Sequence, residues 1–232
     1  MNIYCLVTLS HRVLYENWFL RTLPRGCYPK PLFVEASPEV FGEGNWHRVV
    51  AHKFSLLERA FASEPEGQVF VLSDVDIRFY GPFAADLTRR MSHFDVLFQH
   101  NRPSLPGIPR HLCTGFMGIR NNRRSREFFQ LAHQRLEALN RPTIGDQRAC
   151  IEVLEEDPDK LCFDILPESY WSPGSILGRW VPGVPLTPPL ELMLHHANHT
   201  VGIENKIQQL ATLEEMQKQP PGICLEPVIC PQ

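Results

Sequence analysis

Asp74 and Asp76 stand two residues apart, directly after the apolar run Val69-Phe70-Val71-Leu72. In extended chain, residues two apart project to the same side. Two carboxylates sharing one side at a buried strand end repel each other and are costly to desolvate. A divalent cation removes both difficulties, and hard carboxylate oxygens suit Mg²⁺ or Mn²⁺. The competing account is a solvated turn, closed by Gly81-Pro82, that holds two aspartates without a ligand. The run before them is rich in β-branched and aromatic residues and too short for a helix, which describes a strand covered on both faces.

Other residues could join this chemistry. His195, His196 and His199 cluster near the end of the chain. They could be surface histidines, or His195 and His199 could hold zinc from one helical turn. No HExxH pattern occurs, which argues against a metalloprotease. Gly115, after Thr114 in an apolar segment, packs nothing and marks a close approach by a ligand or backbone. Asp146 and Gln147 open a helix, where an acid also serves as a cap or dipole partner. Lys53 lies on a helix and reads as its polar face unless an anion sits above it. Arg120, Arg123, Arg124 and Arg126 read as a solvated face, with an anionic acceptor or headgroup as the other possibility.

The chain that must position these groups has 232 residues and a formal net charge of −3. That length supports a substantial core in one large domain or two small ones. The charge gives no electrostatic case for a nucleic-acid partner. No apolar run approaches the roughly 18 residues of a membrane span. The first residues, MNIYCLVTLS, lack a basic leader and read as a strand. Seven scattered cysteines form no zinc ribbon. Cys5, Cys113 and Cys162 read as small reduced hydrophobes, and Cys224 and Cys230 could pair. A cytoplasmic location is expected.

Strand-like and helix-like pieces alternate. Strands are expected at 2–8, 31–35, 69–72, 94–98, 113–119 and 162–166. Helices are expected at 11–23, with Ser10 as its cap, and at 45–62, 122–139, 145–155 and 204–217. The helix at 45–62 is the clearest, with Val50, Phe54, Leu57 and Phe61 in one stripe. The rhythm predicts an α/β fold, an α/β/α sandwich with a mostly parallel central sheet. Residues 167–189 read as a long Pro- and Gly-rich loop, and such loops usually serve a purpose. One domain at 1–219 and a frayed tail at 220–232 complete the picture. Ligands of open α/β sheets bind beyond the carboxyl ends of strands. Thr8, Asp74, Asp76, Gln99 and His100 all fall at such ends.

The string VFVLSDVDIRFYGPF resembles the DxD strand and turn of GT-A (Rossmann-like) glycosyltransferases. Lys53, DVDIRF, CTGFMGIR, GDQRA and HANHTVGIENK, in that order, are similar to the nucleotide-diphospho-sugar transferase family that includes plant cell-wall xylosyl- and galactosyltransferases. The likeness covers roughly Ile3 to Leu210. It implies a metal-dependent transfer from a nucleotide-sugar donor, a UDP-sugar, to a glycan, protein or small-molecule acceptor hydroxyl, with retention. It further implies Asp76 as the direct Mn²⁺ or Mg²⁺ ligand, with Asp74 reaching the metal or the donor ribose. His196 is the implied third ligand, and His199 competes through its spacing to Gly202. Neutral imidazole beside carboxylates tilts the choice toward Mn²⁺. By the same likeness Lys206 pairs with the donor diphosphate, and Lys53 does so if that diphosphate lies above its helix. Thr114 and Gly115 lie beside the sugar, and Asp146 and Gln147 lie near the sugar or acceptor. Trp171 and Trp180 could then stack on sugar faces or anchor their loop.

Two other classes fit parts of the sequence. DVDIRF also resembles the nucleophile motif of haloacid-dehalogenase-type Mg²⁺ phosphatases. Arg78, however, stands where Thr or Val is expected, and the motif lies a third of the way along the chain. A non-catalytic sugar-nucleotide-binding module is the third reading.

Overall fold

A computed structural model describes residues 1–35, 46–101, 112–139, 145–173 and 180–218. Its central sheet has six strands: β1 (Asn2–Thr8), β2 (Tyr28–Val34), β3 (Val69–Ser73), β5 (Val96–His100), β6 (Leu112–Arg120) and β7 (Phe163–Ile165). Their order across the sheet is β2-β1-β3-β6-β5-β7. All run parallel except β6, which pairs antiparallel with both β3 and β5. The mostly parallel sheet expected from the sequence is therefore present, with one reversed strand at its centre.

Period-two alternation divides the core. Phe70 and Leu72 of β3 face one side, with Phe54, Leu57, Phe128, Phe129 and Val153. The helices there are α3 (Trp46–Ser63), α5 (Arg123–Leu139) and α6 (Asp146–Glu156). Val69 and Val71 face the other side, with Tyr15, Phe19, Phe79, Phe83, Leu87 and Tyr170. That side carries two short helices, α1 (Arg12–Leu14) and α2 (Leu20–Thr22), together with α4 (Phe83–Arg90). The result is the α/β/α sandwich that the alternation of elements predicts.

A second, three-stranded sheet orders β4 (Ile77–Phe79), β9 (Leu194–His196) and β8 (Tyr170–Trp171) as β4-β9-β8. It joins the turn after Asp76 to the late histidines. Ile77 lies opposite His196 and Arg78 opposite His195, antiparallel. Beyond it, α7 (Ile203–Lys218) closes the described chain.

Several local expectations change. The helix at 11–23 is split by a π-helical stretch, Tyr15–Phe19, and Ser10 does not cap it. The Ser10 hydroxyl instead lies 3.1 Å from Thr8 Oγ1 and 3.1 Å from His11 Nδ1. β2 begins three residues early, through Pro29 and Pro31, at the edge position where missing N–H groups cost no ladder bond. Cys162 is exposed and is no core hydrophobe, whereas Cys5 and Cys113 are buried and free. Cys224, Cys230 and the tail at 220–232 lie outside the described residues.

Of the expected loop at 167–189, residues 167–173 and 180–189 are described, and they hold β8. Trp171 and Trp180 are buried with Leu186 and Leu213 and anchor the segment to α7. Tyr170 Oη donates to Asp86 Oδ2 at 3.1 Å and ties β8 to α4. Burial by itself would raise the Asp86 pKa, but hydrogen bonds from Arg90, Tyr170 and Arg89 outweigh it and hold the carboxyl below its ordinary range. As pH falls the unfolded chain takes up this proton first. The stabilisation is therefore full above pH ~4 and is lost as the folded carboxyl protonates. Asp86→Asn is expected to lower the melting temperature at pH 7, with the gap to wild type narrowing as pH is taken below ~4 in parallel thermal melts.

Candidate active site and metal centre

β3 delivers Asp74 and Asp76 to the carboxyl edge of the sheet, where three neighbours fix them. The Asp74 amide donates to the Gly115 carbonyl of β6 at 2.7 Å, and the Ala197 amide donates to the Asp76 carbonyl at 2.9 Å. Pairing of β4 with β9 then carries His196 to the acidic pair. Its Nε2 lies 3.3 Å from Asp76 Oδ1 and 3.7 Å from Asp74 Oδ2. Asp76 and His196 are buried, and Asp74 is partly exposed.

Two lysines complete the cluster. Lys53 of α3 reaches Asp74 Oδ1 at 2.7 Å and Asp146 Oδ2 at 3.1 Å. Lys206 of α7 pairs with Asp76 Oδ2 and donates to the Ala197 carbonyl at 3.1 Å. Lys53 is thus no solvated helix face: it bridges the acidic pair to the start of α6. Three carboxylates face two ammonium groups and one imidazole, so the buried charges are nearly balanced.

Mutual charge outweighs burial in these groups. Burial would raise the Asp76 pKa, but Lys206 and His196 hold it well below the ordinary carboxylate range. Burial would lower His196, but Asp76 pushes it up to about 10. Burial would likewise lower Lys53, and Asp146 and Asp74 raise it instead. The residue before His196 behaves oppositely: burial, aided by the charge on His196, pushes His195 down to about 3. Alternation along β9 explains the contrast, because His195 turns away and packs its ring 4.9 Å from that of Trp171.

Asp74, Asp76 and His196 are the one group among the described residues whose ligand atoms could hold a metal ion, all lying within 4.8 Å of one another. Donors on one octahedral ion at roughly 2.1 Å stand about 3.0 Å apart when adjacent and about 4.2 Å when opposite. The separations of 3.3 and 3.7 Å fall within that span. Two carboxylates and one imidazole are also a donor set that accepts Mn²⁺ as readily as Mg²⁺. The residues fit a divalent cation.

The other expected residues divide. His199 stands outside the group: its Nε2 lies 2.7 Å from Asn101 Oδ1, and its backbone takes φ 54°. A zinc pair of His195 and His199 is not formed, since they lie on a strand and the turn beyond it. Gly202, just before α7, takes φ 88°, and its carbonyl accepts the Lys206 amide at 3.1 Å, so it shapes the helix start that presents Lys206. Thr114 is buried on β6. A Cβ on Gly115 would lie 2.0 Å from His196 Cε1, so the close approach expected there is made by the imidazole. Asp146 is buried at the first turn of α6 and bonds Lys53; it makes no cap, and Gln147 is half-buried beside it. Thr8 at the end of β1 lies 2.9 Å from His11 Nδ1.

Sequence reasoning passed over His11. Burial lowers its pKa, and Asp76, Lys206, Asp74 and Lys53 all act on it through their charges, so it borders the cluster. Its position after the β1 end, beside Thr8, was the available signal. Gln99 was noted only for its strand-end position, yet its Oε1 lies 2.8 Å from His196 Nδ1.

This cluster coincides with a family match. The model of nucleotide-diphospho-sugar transferases matches residues 17–210, a span that holds every acidic, lysine and histidine group just described except His11. The chain belongs to the nucleotide-diphospho-sugar transferase family. Among solved structures, it is similar to a glycosyltransferase involved in the glycosylation of the major capsid of PBCV-1. The TM-score is 0.57 at 12% identity, over 92% of this chain and 98% of that one, a likeness of fold. A search of curated proteins finds no match. As a nucleotide-diphospho-sugar transferase, the chain is a glycosyltransferase, and the phosphatase and non-catalytic alternatives are set aside. No helix among the described residues is long and apolar enough to cross a membrane.

Proposed function

We propose that this nucleotide-diphospho-sugar transferase moves a glycosyl group from a UDP-sugar to an acceptor hydroxyl with retention, using Mn²⁺ or Mg²⁺. The observation that carries this reading is the convergence of Asp74, Asp76 and His196, with Lys53 and Lys206 at their flanks. Asp76, Asp74 and His196 would hold the cation, and His199 is not needed. When bound, the cation supplies Lewis-acid neutralisation of the charge that grows on a departing diphosphate.

The remaining work belongs to side chains. Lys206 and Lys53 present ammonium groups at the mouth of the acidic pair, where each can turn from a carboxylate to a phosphate oxygen. Fixed charges of this kind stabilise a leaving group without reorganisation. Asp146 and Gln147, beside Lys53, would orient a sugar or acceptor hydroxyl, and Thr8, Thr114 and Gly202 border the same edge. Holding the acceptor against the anomeric carbon supplies the rest. The transition state is oxocarbenium-like, as in glycosidases. Residues 1–219 would act as one domain.

The test is UDP release from a panel of UDP-sugars, with Mn²⁺ and with a chelator. Release that requires the metal supports the proposal. Release indifferent to chelation, or absent for every sugar nucleotide in binding as well as turnover, contradicts it. Lys206→Ala is expected to reduce kcat/KM by about 10²-fold, the scale of losing one charge-stabilising donor, in the same assay.

A further inference from the structure

We propose that Gln99 is the positioning residue that fixes the tautomer and aim of His196; this rests on the metal-dependent reading above. The argument starts at a fault in the sheet. β5 and β6 pair in register through Phe98 and Met117, and the next pair is Gln99 with Cys113. Thr114, Gly115 and Phe116 are left opposite the break, an irregularity of the kind that re-aims a side chain. Gly115 lies in this break, and its missing Cβ is the space that the His196 ring fills.

The skipped residues lie on β6, and alternation along β5 places Gln99 on the face of Leu97, where Tyr170 of the small sheet packs. Gln99 Nε2 reaches the Tyr170 carbonyl at 3.0 Å and the Trp171 carbonyl at 3.2 Å. Main-chain carbonyls only accept, so the amide nitrogen must face them and both of its protons are committed. Oε1 therefore faces His196 as an acceptor, 2.8 Å from Nδ1. The other neighbour of that nitrogen, Cys113 Sγ, stands at 3.9 Å and is a weak acceptor. Nδ1 must carry a hydrogen, so Nε2 is the ring atom that faces Asp76 and Asp74 and can offer its lone pair to a cation held there.

A cation held between that nitrogen and the two carboxylates would take the place of the Nε2 proton. Gln99 thus prepares His196 as an Nε2 ligand, the outer-shell role that a carbonyl or carboxylate commonly fills for metal-binding histidine. Gln99 is fully buried, and both of its amide ends are used, so the arrangement has no slack.

Mn²⁺ alone, titrated into the purified chain and read by the EPR signal of the free ion, tests this. Gln99→Met keeps the shape and removes the acceptor; the expected result is a fall in Mn²⁺ affinity of about 10–100-fold. Gln99→Glu keeps an acceptor for Nδ1–H but loses the two donations to the Tyr170 and Trp171 carbonyls, and is expected to bind Mn²⁺ more tightly than Gln99→Met, a rescue that a purely structural role would not give. Equal affinity in wild type and Gln99→Met overturns the role of Gln99 alone. Failure of wild type to bind Mn²⁺ overturns the metal reading and this inference together. Should Gln99→Met fail to fold, ¹⁵N-histidine NMR of Mg²⁺-loaded wild type decides: Nδ1 protonated and Nε2 unprotonated supports the assignment, and the reverse tautomer overturns it.

Discussion

Asp76→Asn is expected to lower sugar transfer by about 10³-fold or more, because it weakens cation binding and charge stabilisation together. The carboxylate faces His196 Nε2 with one oxygen and Lys206 with the other. Asparagine keeps the volume and one acceptor oxygen but presents an amide where the second oxygen was. Breaking a buried pair from one side also leaves the partner uncompensated, at a cost of roughly 3–5 kcal/mol. The variant is therefore also expected to melt earlier, and activity should be measured well below its melting temperature. Steady-state kinetics against Mn²⁺ concentration separate the effects. A lost cation ligand leaves a rate that saturating Mn²⁺ does not restore, whereas a wild-type rate in the folded variant would remove Asp76 from the chemistry.

The second large effect is expected from a single methyl group. In Gly115→Ala the new Cβ would meet His196 at 2.0 Å from Cε1, 2.6 Å from Nδ1 and 3.0 Å from Nε2. The ring has nowhere to turn, since Gln99 holds one edge and the aspartates face the other. Overpacking a closed site costs about 1–3 kcal/mol, and moving His196 by an ångström removes a ligand from the proposed cation. Transfer is expected to fall by about 10²-fold, the scale of a 1 Å misplacement, while most of the fold survives. Gly118→Ala on the same strand is the control. Its Cβ would meet Leu87 Cδ1 at 2.8 Å and Met91 Sδ at 3.2 Å, the flexible ends of core side chains. That variant should lose stability in thermal melts and keep its kinetics.

How much of this was legible before folding depended on range. Runs such as Val69-Phe70-Val71-Leu72 and the stripe Val50, Phe54, Leu57, Phe61 carry their own period, and the strands and long helices follow from them. β4 and β8, with three and two residues, have no period to read. α4 was hidden behind Gly81-Pro82, which reads as a turn. Strand direction leaves no mark in an apolar run, so the reversal of β6 was not visible. The acidic pair was legible because residues at i and i+2 directly after a strand are a local relation. The choice of His196 over His199 was not, because it is set by the pairing of β9 with β4, far apart in sequence. Lys53 was misread as a helix face for the same reason: Asp74 and Asp146 are distant in the chain. Gln99 needed three long-range facts at once, the register shift between β5 and β6, the carbonyls of β8 and the imidazole of β9.

The most direct measurement is an anomalous-scattering map at the manganese edge from crystals grown with Mn²⁺ and UDP. The account predicts one strong peak bonded at roughly 2.0–2.3 Å to the Asp76 carboxylate and to His196 Nε2, in contact with the diphosphate. A diphosphate seated at this edge with no manganese on those atoms, or manganese bound at a different set of side chains, would contradict it.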